Sequence, residues 1–190
     1  MKDLKFNFSS DQKKYQEFLN QDAKVIWLYG LPASGKSTIA NCLNNLLLGK
    51  GKYSVILDGD SLRGGLCKDL DFTKSDRLEN IRRASEVAKM FFNSGAIVIC
   101  SFVTPTVDVR KVVRNVLGNN FHFVFIDTDL NECIDRDPKG LYKSAIEGSL
   151  KSFTGVSAEF EAKEDDALIV KTKSAEPEEC AKLIFSKFFE

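Results

Sequence analysis

Residues 24 to 38 read Lys24-Val25-Ile26-Trp27-Leu28-Tyr29-Gly30-Leu31-Pro32-Ala33-Ser34-Gly35-Lys36-Ser37-Thr38. The unbroken apolar run from Val25 to Tyr29 predicts a strand buried on both faces. It leads into G-x-x-x-x-G-K-S, which opens a helix continuing through Ile39, Ala40 and Leu43. Strand, glycine loop and helix in that order make the pattern a phosphate-binding loop rather than a glycine-rich turn. Gly30 and Gly35 let the backbone curl so that its N–H groups face inward, and the helix adds its positive dipole end. Lys36 can reach the β and γ phosphates as a point charge, and the Ser37 hydroxyl can hold a Mg²⁺ ion bridging them. Gly30, Leu31, Pro32, Ala33, Ser34, Gly35, Lys36, Ser37 and Thr38 are therefore expected to bind the phosphates of ATP or GTP, with Thr38 on the packing side.

The rest of the composition narrows the partners. A chain of 190 residues suits one domain with a sizeable core. Its 27 lysines and arginines balance its 27 aspartates and glutamates, so nothing general points to a nucleic acid or a membrane surface. The five cysteines, Cys42, Cys67, Cys100, Cys133 and Cys180, lack C-x-x-C spacing and read as buried thiols of a reducing cytosol. Residues 1 to 6 lack the apolar core of about 7 to 15 residues of a secretory signal, and no run approaches about 18 apolar residues. A soluble, cytoplasmic protein is expected.

Further along, strands and helices alternate. Residues 9 to 20 predict a leading helix, with Ser9, Ser10 or Asp11 as its cap. Tyr53 to Asp60 is an apolar strand ending in two acids, Asp58 and Asp60, at the sheet edge where doubly wound folds place their sites. One of these carboxylates can orient magnesium-bound water or accept a proton from an attacking hydroxyl, and Asp58 joins Ser37 as a candidate Mg²⁺ ligand. An Asp-Gly turn is the structural alternative there. Residues 61 to 72 hold glycines together with Arg63 and Phe72 and read as mobile. A helix from about Ser75 to Asn93 is expected, capped by Asp76 with Glu79 three residues on, and it puts Arg77 and Asn80 on one face. Arg82 and Arg83 are divided between a role and simple solvation. A third strand runs from Ala96 to Val103 and a helix from Val107 to Leu117. The fourth strand, Phe121 to Asp127, carries the one histidine, His122, which reads as a surface or packing residue. A helix from Leu130 to Arg136 leads to a basic, glycine-containing lid at about 137 to 155. A fifth strand from Ala167 to Thr172 and a helix from Pro177 to Phe189 close the chain. The expected fold is α/β, a P-loop kinase fold of one domain with a mostly parallel five-stranded sheet, flanking helices and a mobile lid. No N-K-x-D is present to read guanine, which favours a small-molecule kinase over a GTPase.

Over nearly its whole length the chain resembles adenylylsulfate (APS) kinases. The matching stretches include Gly30 to Thr38, Leu57-Asp58-Gly59-Asp60 with Arg63, Phe72, and Asp76 to Arg83. Ser101-Phe102-Val103-Thr104-Pro105, Arg136 to Lys143 and Phe153-Thr154-Gly155 match as well. The resemblance implies transfer of the γ-phosphoryl of MgATP to the 3′-hydroxyl of adenosine 5′-phosphosulfate by a homodimer. It places Asp60 at the acceptor hydroxyl and gives the phosphosulfate to Arg63, Arg77 and Asn80. Phe72 and Phe153 would sandwich the acceptor base, with Val103 and Thr104 at its edge. Lys139 and Leu141 would reach over from the lid, and Arg136 would lie near the ATP base.

The departures from the family are equally specific. Pro32-Ala33 replace the family's Ser-Gly in the loop, a change the general pattern tolerates. Thr104 stands where the family carries a serine with a phosphoserine role. Lys143-Ser144-Ala145-Ile146 replaces K-K-A-R in the lid, and Phe160 to Glu164 replaces Y-E-A-P-E. The usual leader with its histidine and arginines is also absent. Loss of a lid arginine leaves open a different acceptor, such as cytidine diphosphoramidate in capsule phosphoramidate synthesis. A nucleotide-binding regulatory module without turnover is the reading from another class.

Overall fold

The apolar run that precedes the glycine loop is the middle strand of the sheet. The structure, a computed structural model, describes residues 9–162 and 166–190. β1 (Lys24–Tyr29) lies between β3 (Ile97–Ser101) and β4 (Phe121–Asp127), with β2 (Ser54–Asp58) outside β3 and β5 (Leu168–Lys171) outside β4. All four pairings are parallel. β1 is buried on both faces because its side chains alternate between two cores. Val25, Trp27 and Tyr29 pack with α4 (Lys74–Asn93) and α5 (Val107–Leu117). Ile26 and Leu28 pack with α2 (Lys36–Gly49) and α8 (Pro177–Phe189). Each such side chain contributes about 1.5–3 kcal/mol on burial, which ties the strand that feeds the loop to both layers.

The passage from β1 into the loop is tight. A Cβ added at Gly30 would lie 2.7 Å from the Ile126 carbonyl oxygen, a backbone atom of β4 that cannot step aside. Trp27 stacks on Phe102 at 5.0 Å and donates its indole N–H to Thr104 Oγ1 at 3.0 Å, which fixes the chain leaving β3.

Around the acids the structure corrects the sequence reading. Asp58 ends β2 and caps a short helix, α3 (Gly59–Gly64), its carboxylate accepting from the N–H groups of Asp60 and Ser61. The segment expected to be mobile thus starts as a helix, and beyond it Cys67 is fully buried. Arg83 holds its far side, donating to Leu66 O at 3.0 Å and to both carboxylate oxygens of Asp69 at 2.6 and 2.8 Å. Arg82 pairs with Glu79 on an exposed face. The cap of α4 is Thr73, one residue before the helix, and not Asp76. Thr73 Oγ1 accepts from the Asp76 N–H because Asp76 already lies in the first turn, where its own N–H needs an acceptor.

The remaining helices fall where the pattern puts them: α1 (Ser9–Leu19), α6 (Leu130–Arg136) and α8. Of the candidate caps of α1, the side chains of Ser9 and Ser10 lie outside the described residues, as do residues 1 to 6, Lys163 and Glu164. The lid segment carries a further helix, α7 (Leu141–Ile146), and a small core of Cys133, Tyr142, Ala145 and Phe153 packed against Leu31 and Ala33 of the loop. His122 is exposed and stacks on Phe188 at 4.6 Å, a packing role as expected. All five cysteines are free, and four are buried. Among the described residues no helix is long and apolar enough to cross a membrane.

Gly30→Ala is expected to force β1 from β4 and to cost about 1–3 kcal/mol, lowering Tm by about 2 to 10 °C. An unchanged thermal melt would show that β4 can yield at Ile126.

Candidate active site

The loop, the strand ends and the lid enclose one open cleft of about 1360 Å³. Pockets for one drug-sized ligand run to about 300–1,000 Å³, so this cleft is larger than one such ligand needs. Every residue expected at the site lines it except Gly30 and Leu31. Those two act through their carbonyls, which accept from Lys36 Nζ at 3.1 and 2.6 Å, and Ser34 Oγ lies 3.3 Å from the same nitrogen. Gly35 takes φ 93° to let α2 begin at Lys36, and no acidic residue occupies the helix's first turn to offset its dipole. The N-terminal end of α2 is thus an electropositive wall.

Burial pushes the Lys36 ammonium down to about 8, against the pull of Cys133, Asp58 and Asp60. The folded protein therefore holds a neutral amine at this position above pH 8, where the unfolded chain is still protonated up to about 10.5. By linkage, this group's effect on stability becomes more favourable as pH rises from 8 to 10.5 and is flat below 8.

At the other wall, Ser37 Oγ donates to Asp58 Oδ2 at 2.7 Å and lies 3.1 Å from Ser101 Oγ. Asp60 sits in the first turn of α3 and pairs with Lys139 from the lid segment, both side chains reaching into solvent. Tyr142 of α7 donates its hydroxyl to Pro32 O at 3.1 Å, joining lid to loop. Arg136 pairs with Glu132, one helical turn back, and its guanidinium passes close to Gly35.

The far end of the same cleft is aromatic and basic. Phe72 is more than half exposed, with the Arg63 guanidinium 4.3 Å above its ring and that of Arg77 at 5.8 Å. Arg63 donates to Leu70 O and Asp71 O, and Arg77 to Phe72 O, Ser152 O and Thr154 Oγ1. Neither has a carboxylate partner among the described residues. Burial first, and then the charge of Arg63, hold the pKa of Arg77 below its ordinary value. Two guanidiniums crowded without a counter-charge are chemically suited to an anion. Asn80 sits one turn on from Arg77, and its buried Oδ1 has no hydrogen-bond partner among the described residues. Phe153 reaches the cleft from the lid side, buried and braced edge-on by Tyr142 at 5.0 Å. Val103 and Thr104 line the cleft, but the Thr104 hydroxyl is turned inward to Trp27.

Sequence reasoning missed Ser101, Tyr142, Arg110 and the cleft-lining stretch 172–177. Ser101 carried a signal, being the polar last residue of an apolar strand beside β1. Arg110 is fully buried, with its guanidinium 4.9 Å from the Tyr29 ring and a bond to Thr104 O at 3.0 Å. Nothing in a helical repeat marks an arginine for the core.

A glycine loop on the central strand of an all-parallel sheet, with the segment after α6 bonded to it and one cleft beside it, defines a P-loop kinase fold. The adenylylsulphate kinase family model matches residues 22–171. The chain belongs to the adenylylsulphate kinase family, phosphotransferases that act on a hydroxyl group. It is 43% identical to an adenylyl-sulfate kinase of Clostridium kluyveri, covering 92% of this chain and 87% of that one. It is 53% identical to the bifunctional enzyme NodQ of Rhizobium tropici over 83% of this chain but only 25% of that protein. The chain thus spans about a quarter of the length of that relative. The structure of the Mycobacterium tuberculosis APS kinase CysC in complex with AMPPNP and APS superposes with a TM-score of 0.84 at 37% identity, covering 87% of this chain and 96% of that one.

The pKa of Lys36 sets a pH dependence. A lysine needs its proton to meet a phosphate, so the affinity of the free protein for ATP is expected to be level from pH 7 to 8. Above pH 8 it should fall by up to about tenfold per unit. Isothermal titration from pH 7 to 9.5 measures this, and Lys36→Met should bind weakly with no such slope. A wild-type affinity constant to pH 9.5 would mean that the ammonium keeps its proton.

Proposed function

We propose that this chain transfers the γ-phosphoryl of MgATP to the 3′-hydroxyl of adenosine 5′-phosphosulfate. The observation that carries this reading is the pair Arg63 and Arg77, uncompensated by any described carboxylate, around the exposed face of Phe72 in the same cleft as Lys36. An acceptor suited to that pocket has a flat base and an anionic tail. The complex of the M. tuberculosis relative with AMPPNP and APS supports two nucleotides in such a cleft.

In this reading the loop N–H groups and Lys36 hold the β and γ phosphates, and Arg136 lies by the ATP base. Ser37 and Asp58 would hold Mg²⁺: one hydroxyl and one carboxylate suit an ion that keeps phosphate and water for its other positions. Among the described residues no cluster of three or more His, Cys, Asp or Glu could hold a metal alone, so the nucleotide completes the set. When bound, the ion neutralises charge on the phosphates as they separate. Arg63, Arg77 and Asn80 grip the phosphosulfate, while Phe72 and Phe153 stack the base. Leu141, Val103 and Thr104 flank it. Asp60 orients the acceptor hydroxyl and takes its proton, and Lys139 moves from Asp60 to the phosphates as the mobile lid, residues 137 to 155, closes over them. A homodimer and a cytoplasmic setting belong to the same reading. The five free cysteines support a reducing compartment.

One observation favours the second acceptor. Ile146, exposed on α7, stands where the family's lid arginine would be, so the lid segment has one cation fewer. Steady-state assays with MgATP are expected to give a higher kcat/KM for adenosine 5′-phosphosulfate than for cytidine diphosphoramidate. The reverse order would keep the chemistry and replace the substrate. On the preferred acceptor, Asp60→Asn should lower kcat by roughly 10²–10⁴ while ATP binding persists, and an unchanged kcat would remove Asp60 from proton transfer. Phe72→Ala should raise the acceptor KM roughly ten- to hundredfold and leave that of ATP alone. Equal effects on both would take Phe72 out of the acceptor pocket.

A further inference from the structure

Ser101 closes β3, the strand beside β1, and its side chain meets the hydroxyl expected to touch the cation. In the β2–β3 register Asp58 and Ser101 are Cα partners, and in the β1–β3 register Ser101 faces Leu28. Asp58 therefore stands two strands from the one that feeds the loop, roughly 9 to 10 Å at ordinary strand spacing, and Ser101 fills the strand between.

Proton bookkeeping fixes the direction of the bonds. Ser37 has a single hydroxyl proton, and the Asp58 carboxylate only accepts, so that proton points at Asp58 Oδ2. In the 3.1 Å contact between the two serine hydroxyls, Ser101 is then the donor. Ser101 is only 3% exposed, so water does not compete for its proton. The result is a one-way chain from Ser101 to Ser37 to Asp58, each bond polarising the next. Of the two lone pairs on Ser37 Oγ, Ser101 engages one and leaves the other to the cleft.

We propose that Ser101 is a positioning residue that sets the rotamer and donor direction of the Ser37 hydroxyl, and so the loop's grip on the nucleotide-bound divalent cation. This rests on the kinase reading above. Ser101 lines the cleft but acts through Ser37, so its effect is expected only when the cation is present.

Isothermal titration of wild type, Ser101→Ala and Ser101→Thr with ATP in excess Mg²⁺, and with ATP in EDTA, separates the cases. Mn²⁺ binding in the presence of ATP, followed by electron paramagnetic resonance, gives a second readout independent of turnover. Ser101→Ala should bind MgATP, and Mn²⁺ with ATP, on the order of tenfold more weakly, with metal-free ATP within about twofold of wild type. Ser101→Thr, which keeps the hydroxyl, should restore both. If Ser101→Ala weakened MgATP and metal-free ATP by the same factor, or changed neither, the positioning role would be overturned. Wild-type binding indifferent to Mg²⁺ would instead overturn the reading on which it rests.

Discussion

The close approach of Gly30 to the Ile126 carbonyl is the constraint on which the site depends. β1 is buried on both faces and flanked on both edges, so the chain can leave it only at its C-terminal end, between the ends of β3 and β4. There the space left by β4 admits a backbone and nothing more. The strand order then assigns partners. β2 and β3 on one side bring Asp58, Ser101 and Val103 to the loop. β4 and the helix after it bring Thr128, which donates to Ser34 O at 2.9 Å, and Arg136. The one cleft runs past the loop because neighbouring strands end on opposite sides of it, as in other doubly wound sheets.

What the sequence made legible was whatever depended on local periodicity or a fixed spacing. The loop, the five strands and the helices from Val107, Leu130 and Pro177 follow from apolar runs and caps. The α3 helix was hidden because its signal is one aspartate before a glycine, which a turn and an N-cap share. The start of α4 was misjudged in the same way: Thr73, Ser75 and Asp76 are all competent caps, and the choice among them is made by where the preceding loop is anchored. Arg83 decides that through Asp69, a contact fourteen residues away in sequence. Ser101 and Tyr142 act through partners more distant still, Ser37 and Pro32, and no short window of sequence contains both ends of those bonds.

The altered loop sequence also has a physical reading. Ala33 takes φ 60°, a left-handed conformation that costs a residue with a Cβ roughly 1–2 kcal/mol. Such strain persists where the surroundings over-determine the backbone. Here Ala33 and Leu31 pack into the small core of the lid segment, and the Tyr142 hydroxyl fixes Pro32 O. An added Cβ on Gly155 would come within 3.1 Å of Leu31 Cδ2, so that the lid backbone itself presses on the loop. The segment from Tyr142 to Gly155 therefore packs on the loop at Leu31, Pro32 and Ala33, and those contacts hold the strain at Ala33.

That packing bears on whether a protein hydroxyl carries the phosphoryl group in transit. Thr104 stands at the position where the resembled family has a serine. Its hydroxyl accepts from Trp27 and leans toward Phe102 O, its carbonyl accepts from the buried Arg110, and the residue is 1% exposed. To attack phosphorus it would have to leave Trp27 and cross to the cleft against a backbone already held at φ 40°. Once phosphorylated it would set a charge of about −1.5 to −2 beside the indole at the centre of the core. Asp60 and Lys139, by contrast, already stand in the cleft on exposed side chains free to turn toward a ligand. In the proposed reaction, transfer would then pass straight from donor to acceptor, while Thr104 holds the chain leaving β3 through Trp27 and Arg110.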